Sequence, residues 1–172
     1  EPFHEMLNES LFISFPDIWT GNNQLQKNEI KAIDEVKKII KNEREQLAAV
    51  ILEPLVQGAG GMRICRKEFL SQLVKIFKEA GIIVIFDEVM TGFGRTGKMF
   101  AADFIDEEPD IMCLAKSLTG GFIPLAATIF SEKIHKEFVA TDLKKTFLHG
   151  HTFSANPVAC SAALSSLELF EK

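Results

Sequence analysis

Tyrosine is absent from this 172-residue chain, tryptophan occurs once and cysteine three times. Cys65, Cys113 and Cys160 are odd in number, widely spaced and form no Cys-x-x-Cys pair. That excludes a disulfide framework and a zinc ribbon, and points to a reducing cytosol. No apolar run approaches the ~20 residues of a membrane-spanning helix, and no charged-then-apolar leader opens the chain. A basic excess is also missing. Asp and Glu number 24 against 19 Lys and Arg, and a net charge of −5 leaves no basic face for nucleic acid or an anionic membrane. The pairs Lys37-Lys38 and Lys144-Lys145 read as solvated surface. A soluble cytoplasmic protein is the expectation. The chain has no initiating Met and stops inside a helical pattern, so it is expected to be a piece of a larger protein.

What is present has the rhythm of strand, helix, strand. Hydrophobic content of 47% with 25% charged residues is that of a globular chain. Residues 1–26, with Pro2, Pro16 and Gly21-Asn22-Asn23, read as irregular connecting chain. Between about Asn28 and Glu45, Ile30, Ile33, Val36 and Ile40 form one apolar stripe on a surface helix. Leu47 to Leu52 and Ile82 to Phe86 are continuous apolar runs, the pattern of strands buried on both faces. Between them Phe69, Leu70, Leu73, Val74 and Phe77 mark a second helix, with Gly81 placed as its cap. Short strands are expected at Ile111–Leu114 and near Ala126–Phe130, with a short helix after Ser131. Asn156-Pro157 supplies an N-cap and a first-turn proline for a final helix. The spacing predicts an α/β domain with a mostly parallel sheet, and no domain boundary within the chain.

Several segments look chemical. Gly92-Phe93-Gly94-Arg95-Thr96-Gly97 satisfies the dinucleotide fingerprint by letter. Five residues separate it from the strand, however, and there is little room for a helix after it. Gly92 to Lys98 also begins like a P-loop, but Met99 stands where a magnesium-binding hydroxyl is needed. The better reading is a glycine-rich turn that carries Arg95 toward a ligand. His149-Gly150-His151 lacks a third ligand at metal spacing. Thr152 with its backbone amides suits a phosphate, or is part of a turn before Asn156. Glu53 closes the first strand ahead of the flexible stretch Gly58-Ala59-Gly60-Gly61 and can anchor it by hydrogen bonding. Asp87 closes the second strand, where ligands of open α/β sheets lie. It either caps the next turn or, as a buried carboxylate, requires a cationic partner. Lys116 follows the strand ending at Leu114 and precedes Gly120-Gly121. A lysine in desolvating surroundings is nucleophilic toward a carbonyl carbon. An amine and a carboxylate so placed are the two groups that hold a pyridine aldehyde. The amine forms an imine, and the carboxylate keeps the ring nitrogen protonated.

The run Ile85-Phe86-Asp87-Glu88-Val89, the Gly92 to Gly97 loop, Asp110, Lys116 and Gly120-Gly121 resemble, in order and spacing, the signature of the class III (omega) aminotransferases. These use pyridoxal 5′-phosphate on the type I fold. Glu53 to Arg63, Leu114 to Gly121 and His149 to Cys160 resemble the branch that passes an amino group from S-adenosylmethionine to 8-amino-7-oxononanoate in biotin synthesis. The resemblance covers nearly the whole chain, as a partial large domain. The family's N-terminal segment and C-terminal small domain lie outside it. It implies that Lys116 carries the cofactor and Asp87 pairs with the ring nitrogen. Thr152, with His151 beside it, contacts the phosphate of a partner subunit's site in a homodimer, and Gly150 and Arg95 line the substrate pocket. Another class III enzyme, using lysine or a different amine as donor, remains the alternative. Residues 1–172 by themselves are expected to bind the cofactor weakly and to be inactive.

Overall fold

The computed structural model describes residues 9–172, so Pro2 and the start of the irregular segment lie outside the described residues. Residues 9–24 are irregular, and α1 runs from Leu25 to Glu43. It buries Glu29, Ala32, Ile33 and Val36, with Ile40 packed beside them. Ile30, expected in that stripe, is 64% exposed. At 100° per residue, position 30 lies about 120° from Val36, off the stripe, whereas position 29 falls within it. The Glu29 carboxylate placed there is compensated by Arg66, whose Nε donates at 2.8 Å with Nη2 making a second contact.

β1 (Ala49–Leu52) is followed by a hairpin of β2 (Val56–Gln57) and β3 (Arg63–Ile64). The glycine stretch read as flexible is the tip of this hairpin, with Gly61 and Met62 N–H both donating to the Gly58 carbonyl. Next come α2 (Lys67–Glu79), β4 (Ile83–Asp87) and β5 (Ile111–Leu114). Gly81 adopts φ 67° after α2, the left-handed turn for which it is suited. Arg44 closes the same helix end, donating to the Ala80 and Gly81 carbonyls at 2.6 and 3.0 Å. β6 (Ala127–Phe130), α3 (Glu132–Phe138) and α4 (Pro157–Phe170) complete the chain. The Asn156 side chain caps α4 by accepting from Ala159 N–H at 3.1 Å.

The sheet has the order β1-β4-β5-β6, with the first three strands parallel and β6 antiparallel. Its apolar runs are not buried on both faces. Val50, Leu52, Val84 and Phe86 face α1 and α2, while Met112 and Leu114 lie in the cluster that includes Ala163 of α4. On the opposite face Ile51 is 63% and Ile83 36% exposed. α1, α2 and α4 meet one side of the sheet, while on the other side His135 of α3 stacks with Phe130 at the β6 edge. Phe86, completely buried, gains roughly 2–3 kcal/mol from that burial.

Cys65 is packed in the same core, and burial pushes its thiol up to about 12 from an ordinary 9.0. The unfolded chain releases this proton first, so stability contributed by the buried neutral thiol is lost as pH rises from about 9 to 12. Denaturation midpoints across that range are expected to fall, and to fall less steeply in Cys65→Ala.

Candidate active site

The carboxyl ends of β1, β4 and β5 share one edge of the sheet. Asp87, half-buried, ends β4 on the open face, because alternation puts it opposite Phe86. Its Oδ1 accepts from Val89 N–H at 3.0 Å, so it caps the following turn as one of the two expectations held. Among the described residues no donor reaches Oδ2. The register partner of Asp87 is Cys113, whose thiol is raised by burial and then by the nearby Asp87 charge.

Lys116 comes three residues after Cys113, which places its Cα within about 15 Å of the Asp87 Cα. It opens a tight turn, Lys116–Thr119, closed by Gly120 in the left-handed conformation. Lys116 is itself left-handed at φ 45°, a backbone state that costs roughly 1–2 kcal/mol for a residue with a Cβ. The surroundings hold it there. Leu118 and Thr119 are buried, Thr119 Oγ1 donates to the Ile123 carbonyl at 2.6 Å, and Ser166 Oγ of α4 donates to the Ser117 carbonyl at 3.3 Å. The side chain is exposed, so the desolvation expected around it is not supplied by the described residues.

Two loops join this edge. After β1, Glu53 Oε2 accepts from Gly58 N–H at 2.8 Å, the anchoring role open to it in the sequence. Any Cβ on Gly58 would run into Met90 Sδ, so the loops after β1 and β4 touch. After β4, residues 91–99 form successive turns with no helix, as the distance from the strand indicated. Gly92 is required by close approach, since a Cβ would stand 3.0 Å from the Glu88 carbonyl oxygen. Arg95, exposed, donates from Nε to the Met90 carbonyl at 2.8 Å, and no described acceptor reaches its Nη atoms.

Two other candidates settle differently. Asp110 works as a fastener, accepting from Val84 N–H at 2.9 Å and from Lys78 Nζ at 3.2 Å. Gly150, His151 and Thr152 lie on an exposed segment before α4. His151 Nδ1 accepts from Phe153 N–H at 3.2 Å, and no hydrogen bond joins this segment to Asp87 or Lys116. Among the described residues no three His, Cys, Asp or Glu side chains cluster as metal ligands would, and no helix is long and apolar enough to cross a membrane.

The residue that sequence reasoning passed over is Glu88. It is completely buried, and its carboxylate accepts from Thr91 Oγ1, Ala101 N–H and Ala102 N–H at 2.6, 3.0 and 2.7 Å. The signal was the acidic pair itself. Alternation along a strand sends one carboxylate outward and its neighbour inward, where it must find donors.

The edge therefore offers a primary amine on a fixed turn and a carboxylate oxygen without a donor, the complement of a pyridine aldehyde. The family model for aminotransferase class III matches residues 1–172. The chain belongs to the class III aminotransferases. A relative from Synechococcus elongatus, adenosylmethionine-8-amino-7-oxononanoate aminotransferase, is 46% identical over 98% of this chain and 39% of its own length. The crystal structure of the aminotransferase of that name from Methanocaldococcus jannaschii superposes at TM-score 0.77, with 42% identity over 83% of this chain and 34% of that one. An (S)-enantioselective omega-transaminase from Thermomicrobium roseum superposes at 0.83, with 34% identity over 92% of this chain and 36% of that one. The chain thus spans about two fifths of the length of the relatives it matches. Its fold, an α/β arrangement on a mostly parallel sheet, is that of the matching part of these aminotransferases.

Proposed function

We propose that these residues form the cofactor-holding part of the large domain of a pyridoxal 5′-phosphate-dependent aminotransferase. Its reaction moves the amino group of S-adenosylmethionine to 8-amino-7-oxononanoate, giving 7,8-diaminononanoate in biotin synthesis. The observation that carries the reading is the placement of Lys116 and Asp87 at one edge of adjacent parallel strands, with an Asp87 oxygen unclaimed. The relatives named for this reaction support the substrate pair.

When bound, pyridoxal phosphate supplies an aldehyde that takes up the amino group and a ring that delocalises the electron pair left on the substrate carbon. Lys116 Nζ would hold that aldehyde. The same nitrogen would carry a proton away from the substrate carbon as base and return one as acid. Asp87 accepts the ring N–H and keeps the ring cationic. The Thr152 hydroxyl, with His151 beside it, donates to the phosphate across the interface of a homodimer, which the exposure of the segment suits. Gly150 and Arg95 line the pocket for the small-molecule substrates.

Borohydride reduction of the full-length protein loaded with cofactor tests this. A pyridoxyl label on Lys116 is expected, and a label on any other residue contradicts the assignment. A related class III reaction is the second reading, favoured by the closer superposition on the omega-transaminase. Turnover with lysine or another amine, and none with S-adenosylmethionine, decides for it.

A further inference from the structure

We infer that Glu88 is a positioning residue that fixes Arg95 in the substrate pocket, so that its loss is read in KM; the inference rests on the function proposed above. Glu88 follows Asp87 in extended chain and therefore turns to the covered side of the sheet, where it is fully buried. No described Lys or Arg pairs with it. Its carboxylate is satisfied by three donors, and these sit at the two ends of one loop: Thr91 at the start, Ala101 and Ala102 at the finish. The main chain of the same residue is tied as well. Glu88 N–H donates to the Cys113 carbonyl at 2.9 Å, and the Glu88 carbonyl accepts from Gly92 N–H at 2.9 Å. One residue thus connects the strand leading to Lys116 with both ends of the loop that carries Arg95.

Within that loop there are two cations. Lys98 is engaged, donating to the Asp103 carbonyl and lying 4.6 Å over the Phe104 ring. Arg95 is held only through Nε, which leaves both Nη atoms directed at no described acceptor. A guanidinium fork so presented suits a carboxylate or another polar acceptor of the substrate. Its position is only as good as the two loop ends that Glu88 clamps.

Glu88→Gln keeps the shape but sets an amide NH2 against a backbone N–H, leaving one of the Ala101 or Ala102 donors buried without a partner. In the full-length protein the KM for 8-amino-7-oxononanoate is expected to rise about tenfold, with kcat within about threefold of wild type. Thr91→Val removes one donor without introducing a wrong one and should give a smaller rise in the same parameter. Arg95→Ala should raise KM as much as Glu88→Gln or more, and the double variant should be no worse than Arg95→Ala alone. Independent losses that multiply in the double variant, or a fall in kcat with KM unchanged, overturn the inference. Should Glu88→Gln fail to fold, an unchanged KM in Thr91→Val overturns it. Borohydride labelling of Lys116 in wild type and variants separates this outcome from failure of the proposed function, because the label reports the amine and not the loop.

Discussion

Turnover of the full-length protein is expected to fall by on the order of 10²–10⁴-fold when Lys116 is replaced by alanine, from the loss of proton transfer alone. The substitution removes an amine and leaves the fold, because the turn that carries it is held by other groups. Thr119 bonds within the turn, Ser166 holds the Ser117 carbonyl, and Leu118 is buried. The thermal midpoint of the cofactor-free protein should therefore stay close to that of wild type. A small amine in solution, such as methylamine, should restore part of the rate by acting as the missing base. Single-turnover rates with and without added amine are the measurement. A variant within tenfold of wild type would show that Lys116 is not the proton carrier.

Asp87→Asn is expected to cost on the order of 10²–10³ in kcat, the effect of removing one preorganised charge from a site of charge development. The amide oxygen can still accept from Val89 N–H, so the turn after β4 persists and shape is separated from charge. Loss of rate with an unchanged melting temperature would place the role of Asp87 in chemistry. Equal losses in both would make it a turn cap and nothing more.

Much of the fold was legible because its elements follow local rules. Gly81 and Asn156 marked helix ends by side-chain chemistry that needs no tertiary context, and both act as caps in the structure. Ile30 was misplaced because the stripe was drawn through isoleucines, whereas a buried Glu29 paired to Arg66, 37 residues away at the entrance to α2, takes that position. Such a pairing is written in no local pattern. Strand burial was misjudged for a related reason. Continuous Ile and Val show that a strand is apolar, not what stands over each face, and here α1, α2 and α4 gather on one face while Ile51 and Ile83 stay exposed on the other. At the site, Lys116 and Asp87 stood out as ionisable groups following apolar strands. Glu88 was hidden by its neighbour, since only the loop's return to Ala101 and Ala102 reveals where its oxygens go.

The left-handed backbone at Lys116 sets folding against chemistry at a single position. Glycine there would relieve the torsional cost and give a more robust scaffold, yet would delete the amine. Directed evolution scored on heat resistance alone would thus be pulled toward a better-folded, catalytically silent protein at this residue. Screens for hardier transaminases built on this chain should keep codon 116 out of the mutagenised library.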